Sequence, residues 1–424
     1  MVRVRKYDIG GWLRKNVVMV MFIILCVVGM ALGRMQISFV AMELFNRLAR
    51  NAFIVLALII PIVAGMGINF AITIGAMAAQ ISLLWVLEWR IPGIGGFATA
   101  VALTIPISAL FGLLIGKLLN KMKGQEMIGG MILGFFANGL YQLLFLFIFG
   151  NLIPLKSPGL VIKGSTGVAN TLDLSKATGI KYALDGVLRL DFASTLYLFA
   201  GIMAAIVVAL FVAKRIQRSR MTWVLAALAA CVVVVQFPAV RSVFATVHIP
   251  VVTFAVVGLL CAFNMMLMKT RLGQQFRAVG QNRVVANAAG INVDKVRVTA
   301  IMLSTVLAGL GHLIFAQHMG SLQTYGSHEQ VGLYAGAAIL VGGASIAKAT
   351  NGQALLGCVL FHLLFIVVQS AGKTLFGNAT ISEFFRAFIS YGVIALSLVM
   401  HTWSAVAKKK DPENQMKSAA PKAA

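Results

Sequence analysis

The sequence predicts an all-α, polytopic membrane protein of about ten to twelve hydrophobic segments, arranged as a two-half repeat with broken or re-entrant helices. Three observations carry this. The chain is 60% hydrophobic and 11% charged, whereas soluble domains carry roughly 25% charged residues. Its long apolar runs recur from end to end and lack the alternation of barrel strands, so helices must satisfy their backbone groups in lipid. Finally, two apolar segments are broken by small residues in comparable places, GMGINFAITIGAMAAQ at 65–80 and GLYAGAAILVGGAS at 332–345. Paired Gly-interrupted segments point to a midplane pathway between repeats, and the same small residues allow close helix packing.

Taken in order, a 1–16 cytoplasmic N-terminus precedes a membrane domain over 17–403. Spans are expected near 17–33, 52–68, 69–89, 97–119, 126–150, 191–213, 222–237, 248–268, 298–318, 331–347, 353–372 and 381–403. Some of these are expected to be half-helices. The first follows MVRVRKYDIGGWLRK and is longer than a signal-peptide core, so it reads as an uncleaved span. Residues 151–190 form an extracytoplasmic loop in which LDLSKATGIKYALDG could make short helices. Residues 269–297 form a cytoplasmic loop, and 404–424 a basic tail suited to the anionic inner leaflet. Cys26, Cys231, Cys261 and Cys358 all lie in apolar runs without a CxxC pair and read as buried thiols.

A net charge of +24 invites a nucleic-acid reading, but its location excludes it. With the N-terminus inside, 24 of the 36 Lys and Arg residues fall in inner segments, as the positive-inside rule requires. The opposite orientation would place Lys408–Lys410 and the 214–220 cluster outside. Both termini are therefore assigned to the cytoplasm.

The inner 269–297 loop holds the most informative stretch. Asn282 is suited to N-cap a helix over 283–289, and Gly290 to the left-handed turn that ends one. A helix of that length is roughly 10 Å long, too short to span, and suited to take force from a soluble partner. No energy-yielding chemistry is visible on the chain itself. AGKT at 371–374 lacks the first glycine of a phosphate loop, since Val367 stands there. His312, His318, His328 and Glu329 could be drawn as a metal cluster, but no HExxH is present. Neither catalytic nor metal residues are assigned.

Polar residues inside spans remain. Asn138, Tyr141 and Gln142 fall at i, i+3 and i+4 and form one patch, which must face protein or water because unpaired amides in hydrocarbon cost several kcal/mol each. Asn69, Thr73, Asn264, His312, Gln317 and Gln369 are isolated polar positions of the same kind. Of these, Asn69, Thr73, Asn138, Tyr141, Gln142, His312 and Gln369 are taken as the candidate solute pathway, with interhelical hydrogen bonding as the alternative for each. Glu383 and Arg386, spaced i, i+3, can pair locally.

Several of these stretches resemble one family. RAVGxNxxxAxxxGI followed by SxxLAGLxG is similar to the cytoplasmic loop of transmembrane permease subunits of ATP-binding-cassette (ABC) importers for simple sugars and nucleosides, a ribose-type, branched-chain-amino-acid-like group. Here it reads Arg277, Ala278, Val279, Gly280, Asn282, Ala286, Gly290 and Ile291, then Ser304, Leu307, Ala308, Gly309, Leu310 and Gly311. GINFAITIGAMAA resembles the family's Gly-Ile-Asp-Leu-Ser segment, with Asn69 at the acidic position and Ala71 at the serine. AAILVGGAS at 337–345 resembles a Gly-Gly stretch, and KGQEMIGGMILGFFANG resembles the nucleoside-type subgroup, with Gly134 where an Asn is expected. The resemblance covers roughly 54–403.

The resemblance implies an importer subunit of the inner membrane without cofactor of its own, ATP being bound by separate cytoplasmic subunits. Those subunits would meet Arg277, Gly280, Asn282, Arg283, Ala286, Ala289 and Gly290. It also implies an extracytoplasmic solute-binding protein, a second permease copy, a lipid surround and no nucleic acid. The solute would be a simple sugar, a nucleoside or a flavin. The alternative is an ion-coupled secondary transporter, which the scarcity of acidic residues inside spans disfavours. A membrane enzyme is disfavoured by the lack of a nucleophile, base and orienting group in a plausible arrangement.

Overall fold

A computed structural model describes residues 17–122, 124–157, 159–162, 167–214 and 217–389, together with 391, 392, 395 and 399. The N-terminal 1–16 segment, the 404–424 tail and part of the span expected at 381–403 lie outside the described residues, and 379–389 are helical.

The regular secondary structure of the described residues is helical apart from four three-residue strands. Among the described residues, eight helices are long and apolar enough to cross a membrane, as in a multi-pass membrane protein. A ninth candidate, α10 (Val251–Leu267) with α11 (Arg271–Gln281), bends by 74° at its break, and two shorter apolar helices accompany them. The first of these shorter helices is α1 (Val17–Leu32), packed along α15 (Asn351–Phe376), where Val367 occupies the space beside Gly29.

The second span begins earlier than its hydropathy suggests. Ile37–Val63 is a single span, not 52–68, because Glu43, Arg47 and Arg50 hold one another in its first half: Arg47 Nε donates to Glu43 at 2.8 Å, and Arg50 Nη2 lies 3.6 Å from the same oxygen. The span consists of α2 (Ile37–Ala57) and α3 (Ile59–Val63). Its break follows from Pro61, which has no N–H to give to the carbonyl four residues back. That carbonyl, of Ala57, instead accepts from Ser304 Oγ at 3.0 Å, and the neighbouring Leu56 carbonyl accepts from Asn264 Nδ2 at 3.2 Å. Asn264, an isolated polar position of the sequence, and Ser304 of the SxxLAGLxG stretch thus serve a broken helix, as lipid-embedded backbone demands.

The chain then runs unwound through 65–69, with Gly65 and Gly67 both in the left-handed region. A 3-10 turn, Phe70–Ile72, leads into α4 (Thr73–Glu88). Helices α5 (Gly93–Lys121) and α6 (Glu126–Leu143) follow, α6 continuing as a π-turn over Leu144–Ile148.

The described residues of the 151–190 segment form turns, one strand and the start of a second rather than the short helices expected. Asp173 Oδ1 accepts from both the backbone N–H (2.8 Å) and the hydroxyl (2.6 Å) of Ser175, a local bond that competes with helix. Strand β1 (Thr171–Asp173) pairs antiparallel with β4 (Ser321–Gln323), and β2 (Arg189–Asp191) with β3 (His248–Pro250). Helices α7 (Phe192–Val212) and α8 (Arg218–Gln236) form a hairpin whose sides are almost wholly exposed within the chain, with α9 (Pro238–Phe244) after it.

The centre of the molecule is α13 (Val293–Met319), against which α4 and α5 close tightly. A Cβ at Gly112 would come within 2.8 Å of Met302 Cα, and one at Gly75 within 2.3 Å of the Thr305 carbonyl, the small-residue contact that lets membrane helices approach. The span expected at 331–347 is only a half-helix, α14 (Val331–Val341), ended at Gly342 and the left-handed Gly343. Eleven residues rise about 16 Å, roughly half a bilayer core. The two Gly-interrupted segments meet: a Cβ on Gly332 would lie 2.7 Å from the Phe70 carbonyl, and one on Gly336 3.0 Å from Ile68.

Candidate functional site

The corner around α12 is built by local sequence signals first. Asn282 Oδ1 accepts from the N–H groups of Val284 (2.9 Å) and Val285 (3.1 Å), starting α12 (Arg283–Ala288), and Gly290 turns the chain with φ 80°. The cap and the glycine are where the sequence places them, and the helix ends one residue early. Ala286 is buried, while Val284, Val285, Ala289 and Gly290 face outward. Arg277 donates to the Met268 carbonyl and fastens α11 to the end of α10.

Two longer-range features tie this corner to the membrane domain. Gly280 crosses the 63–65 backbone so closely that a Cβ there would lie 2.1 Å from the Val63 carbonyl. Arg283 Nη2 donates to the Gly65 carbonyl at 3.0 Å and to Glu126 Oε1 at 2.8 Å. Glu126 opens α6, and the same oxygen also accepts from Arg297, which is fully buried. The short helix α12 is therefore bonded at once to the unwound 65–69 segment and to the foot of α6.

Both elements lead to one pocket. A cavity of about 370 Å³ is lined by Phe70 and Thr73 after the unwound segment, by Met131, Gly134, Phe135 and Asn138 on α6, by Leu333 on α14, by Tyr391 and by the loop residues His328, Glu329 and Gln330. Asn138 is its polar centre. Its Nδ2 donates to Glu329 Oε1 at 3.1 Å, and its Oδ1 lies 2.8 Å from His328 Nε2. A carboxylate only accepts, so the amide nitrogen faces Glu329; the amide oxygen then faces His328, which must be the Nε2–H tautomer. Burial pushes the His328 imidazole down to about 4, leaving it neutral near pH 7.

The other pathway candidates divide. Thr73 shares the pocket, and its hydroxyl is 3.2 Å from where a Gly134 Cβ would sit, so an Asn at position 134 would enter the same space that Asn138 serves. Tyr141 supports the wall: its ring lies tilted against His328, centroids 4.7 Å apart, and its hydroxyl donates to the Thr324 carbonyl at 3.0 Å. His312 lies behind it, 3.3 Å from Gln80, whose amide also donates to Ser327 at 2.6 Å. Asn69 caps the 3-10 turn by accepting from Ala71 N–H at 3.1 Å. Gln142 and Gln369 are not in the lining; Gln369 is exposed and lies 3.3 Å from Glu383. Gln317 joins Thr253 and His318 (2.5 Å) in bonding Asp185 on the outer side. Burial raises the Asp185 carboxyl, but these three bonds outweigh it and hold it below the usual carboxylate range.

Sequence reasoning missed His328 and Glu329 as pocket residues and Glu126 and Arg297 as corner residues. His328 and Glu329 carried a signal in being polar residues between two apolar runs. For Glu126, the signal was a lone carboxylate at the foot of a span.

The fold defines a multi-pass helical membrane protein, and comparison with known proteins agrees with that class. Residues 232–398 match the family described as branched-chain amino acid transport system / permease component. Over 184 residues the chain is 30% identical to the nucleoside ABC transporter permease protein NupC of Lactococcus lactis subsp. cremoris, covering 43% of this chain and 56% of that one. It is 30% identical over 136 residues to the ribose import permease protein RbsC of Escherichia coli (32% and 40% of the two chains). With the autoinducer 2 import system permease protein LsrC of Yersinia enterocolitica it shares 29% identity over 138 residues (32% and 37%). The chain thus spans about half or less of the length of these relatives. The resemblance to sugar and nucleoside ABC permeases read from the motifs is shown by these matches. No solved structure matches the chain.

Proposed function

We propose that this chain is the transmembrane permease subunit of an ABC importer in the inner membrane, moving a small polar solute with ATP hydrolysed by separate cytoplasmic subunits. A second permease copy and an extracytoplasmic solute-binding protein complete the assembly, and both termini lie in the cytoplasm. The observation that carries this reading is the double bond of Arg283 to the Gly65 carbonyl and to Glu126. Movement of α12 acts on the two elements that bring Phe70, Thr73, Gly134 and Asn138 to the pocket. Binding of ATP by the partners shifts the pocket only if the two orientations differ in affinity for partner or solute, and a docked helix supplies that difference. The solute class is a simple sugar, nucleoside or flavin: amide, hydroxyl and carboxylate groups beside Phe70 and Phe135 suit polar molecules with hydroxyls or a ring face.

The test is co-purification with the ATP-binding subunits. Gly290→Trp, at an exposed left-handed glycine, is expected to abolish it and uptake together; normal assembly and uptake would overturn the reading. One observation favours an ion-coupled carrier, namely that Glu329 places a carboxylate in the pocket. Uptake into vesicles that persists after ATP depletion and stops with a protonophore would establish that alternative.

A further inference from the structure

Beside the docking helix lies a second cleft, of about 700 Å³, lined by Arg283, Asn287, Gly290, Asn292, Asp294 and Arg297 among others. It is on the cytoplasmic corner and shares only Arg283 with the chain of contacts leading to the solute pocket. Arg297 is fully buried, yet among the described residues its Nε and Nη1 have no hydrogen-bond partner. Its single bond goes to Glu126 Oε1, the oxygen that Arg283 already holds. Two guanidinium groups therefore share one carboxylate oxygen. Asp294 is exposed and, among the described residues, forms no salt bridge with either arginine. A buried guanidinium with unpaired N–H groups is costly, and a planar fork of donors fits a carboxylate best.

We infer that this cleft is a socket for an acidic side chain of the ATP-binding subunit, which inserts beside α12 and pairs with Arg297 on docking. The inference rests on the docking role proposed for α12. Charge supports the choice of occupant: residues 269–297 contain six Lys or Arg and one acidic residue, so the face attracts an acidic partner. Pairing there would leave Glu126 to Arg283 and strengthen the hold of α12 on α6 at the moment the partner binds.

Removing Arg297 would take from buried Glu126 one of its two guanidinium partners and perturb the corner itself, so the test adds charge instead. Asn292 caps α13 by accepting from Lys295 N–H at 2.9 Å, a bond that an aspartate makes equally well; Asn287 is exposed. In the purified permease, Asn287→Asp and Asn292→Asp are each expected to weaken affinity for the ATP-binding subunit at least tenfold with unchanged thermal unfolding, while Asn287→Ala stays within twofold. Replacing one acidic residue of the ATP-binding subunit by lysine is expected to restore binding to an Asp variant. Wild-type affinity in both Asp variants would overturn the socket. If that result came with Gly290→Trp abolishing binding, docking would stand and only the socket would fall; if Gly290→Trp also bound normally, the docking reading itself would fail.

Discussion

The corner around Arg283 and the pocket around Asn138 are attached to the same two elements, the unwound 65–69 segment and α6, yet they are built from opposite materials. In the corner, three charged groups meet at a single carboxylate oxygen, and two backbones cross where no Cβ fits. In the pocket, a half-buried amide bridges a neutral imidazole and one exposed carboxylate. The difference is one of stiffness. Charge-assisted bonds to a buried Arg and interlocked glycines transmit displacement, because giving way would leave a charge unpaired in low dielectric. The pocket bonds, one to a neutral imidazole and one to a solvent-exposed carboxylate, leave no buried charge unpaired when they exchange, so a solute hydroxyl can replace them.

The largest effect is expected from breaking the stiff end. Glu126→Ala leaves fully buried Arg297 uncompensated and should cost about 3–5 kcal/mol, read as a drop in the thermal unfolding midpoint in detergent. Loss of under about 1 kcal/mol would mean that the corner is no stiffer than a surface pair.

Next in size is a pH effect confined to the soft end. Burial lowers His328 to about 4 in the folded chain from an ordinary value near 6.5. The unfolded chain therefore takes the proton first. Stability from this group is complete above pH ~6.5 and is lost as pH falls toward about 4, by up to roughly 3 kcal/mol. Guanidinium groups do not titrate in that window. His328→Gln should flatten the slope of unfolding midpoint against pH between 6.5 and 4; an unchanged slope would place its origin elsewhere.

Smaller still is Asn138→Leu, which removes both pocket bonds and is expected to lower uptake about tenfold, roughly 1.4 kcal/mol, with assembly on the ATP-binding subunits intact. If assembly fails as well, the two regions are not separable. Smallest is Gln369→Ala, expected to change uptake less than twofold because this residue lies outside the pocket lining; a tenfold loss would move the pathway toward α15.

The corner's local half was legible in the sequence, since Asn282 as cap and Gly290 as terminator act within a few residues. Its long-range half was not. Glu126 and Arg297 are 171 residues apart, and no periodicity connects them. In the pocket, helical spacing grouped Asn138 with Tyr141 on α6, but the partners His328 and Glu329 sit in a loop without a repeat to reveal which way they face. The first half of the 37–63 span was hidden for a physical reason: Glu43, Arg47 and Arg50 depress hydropathy, and their mutual pairing is a tertiary fact. The same holds for Ser304, whose value lies in the carbonyl that Pro61 leaves free.

The direct test is whether α12 moves the pocket through Arg283. With the native cysteines replaced, Met131→Cys places a thiol in the pocket lining, at a side chain 43% exposed, and its labelling rate can be followed in the full complex with and without ATP. ATP is expected to change that rate severalfold in the parent and to leave it unchanged in Arg283→Ala, although that variant still binds the ATP-binding subunits. An equal ATP-dependent change in both would contradict coupling through the Gly65 and Glu126 contacts.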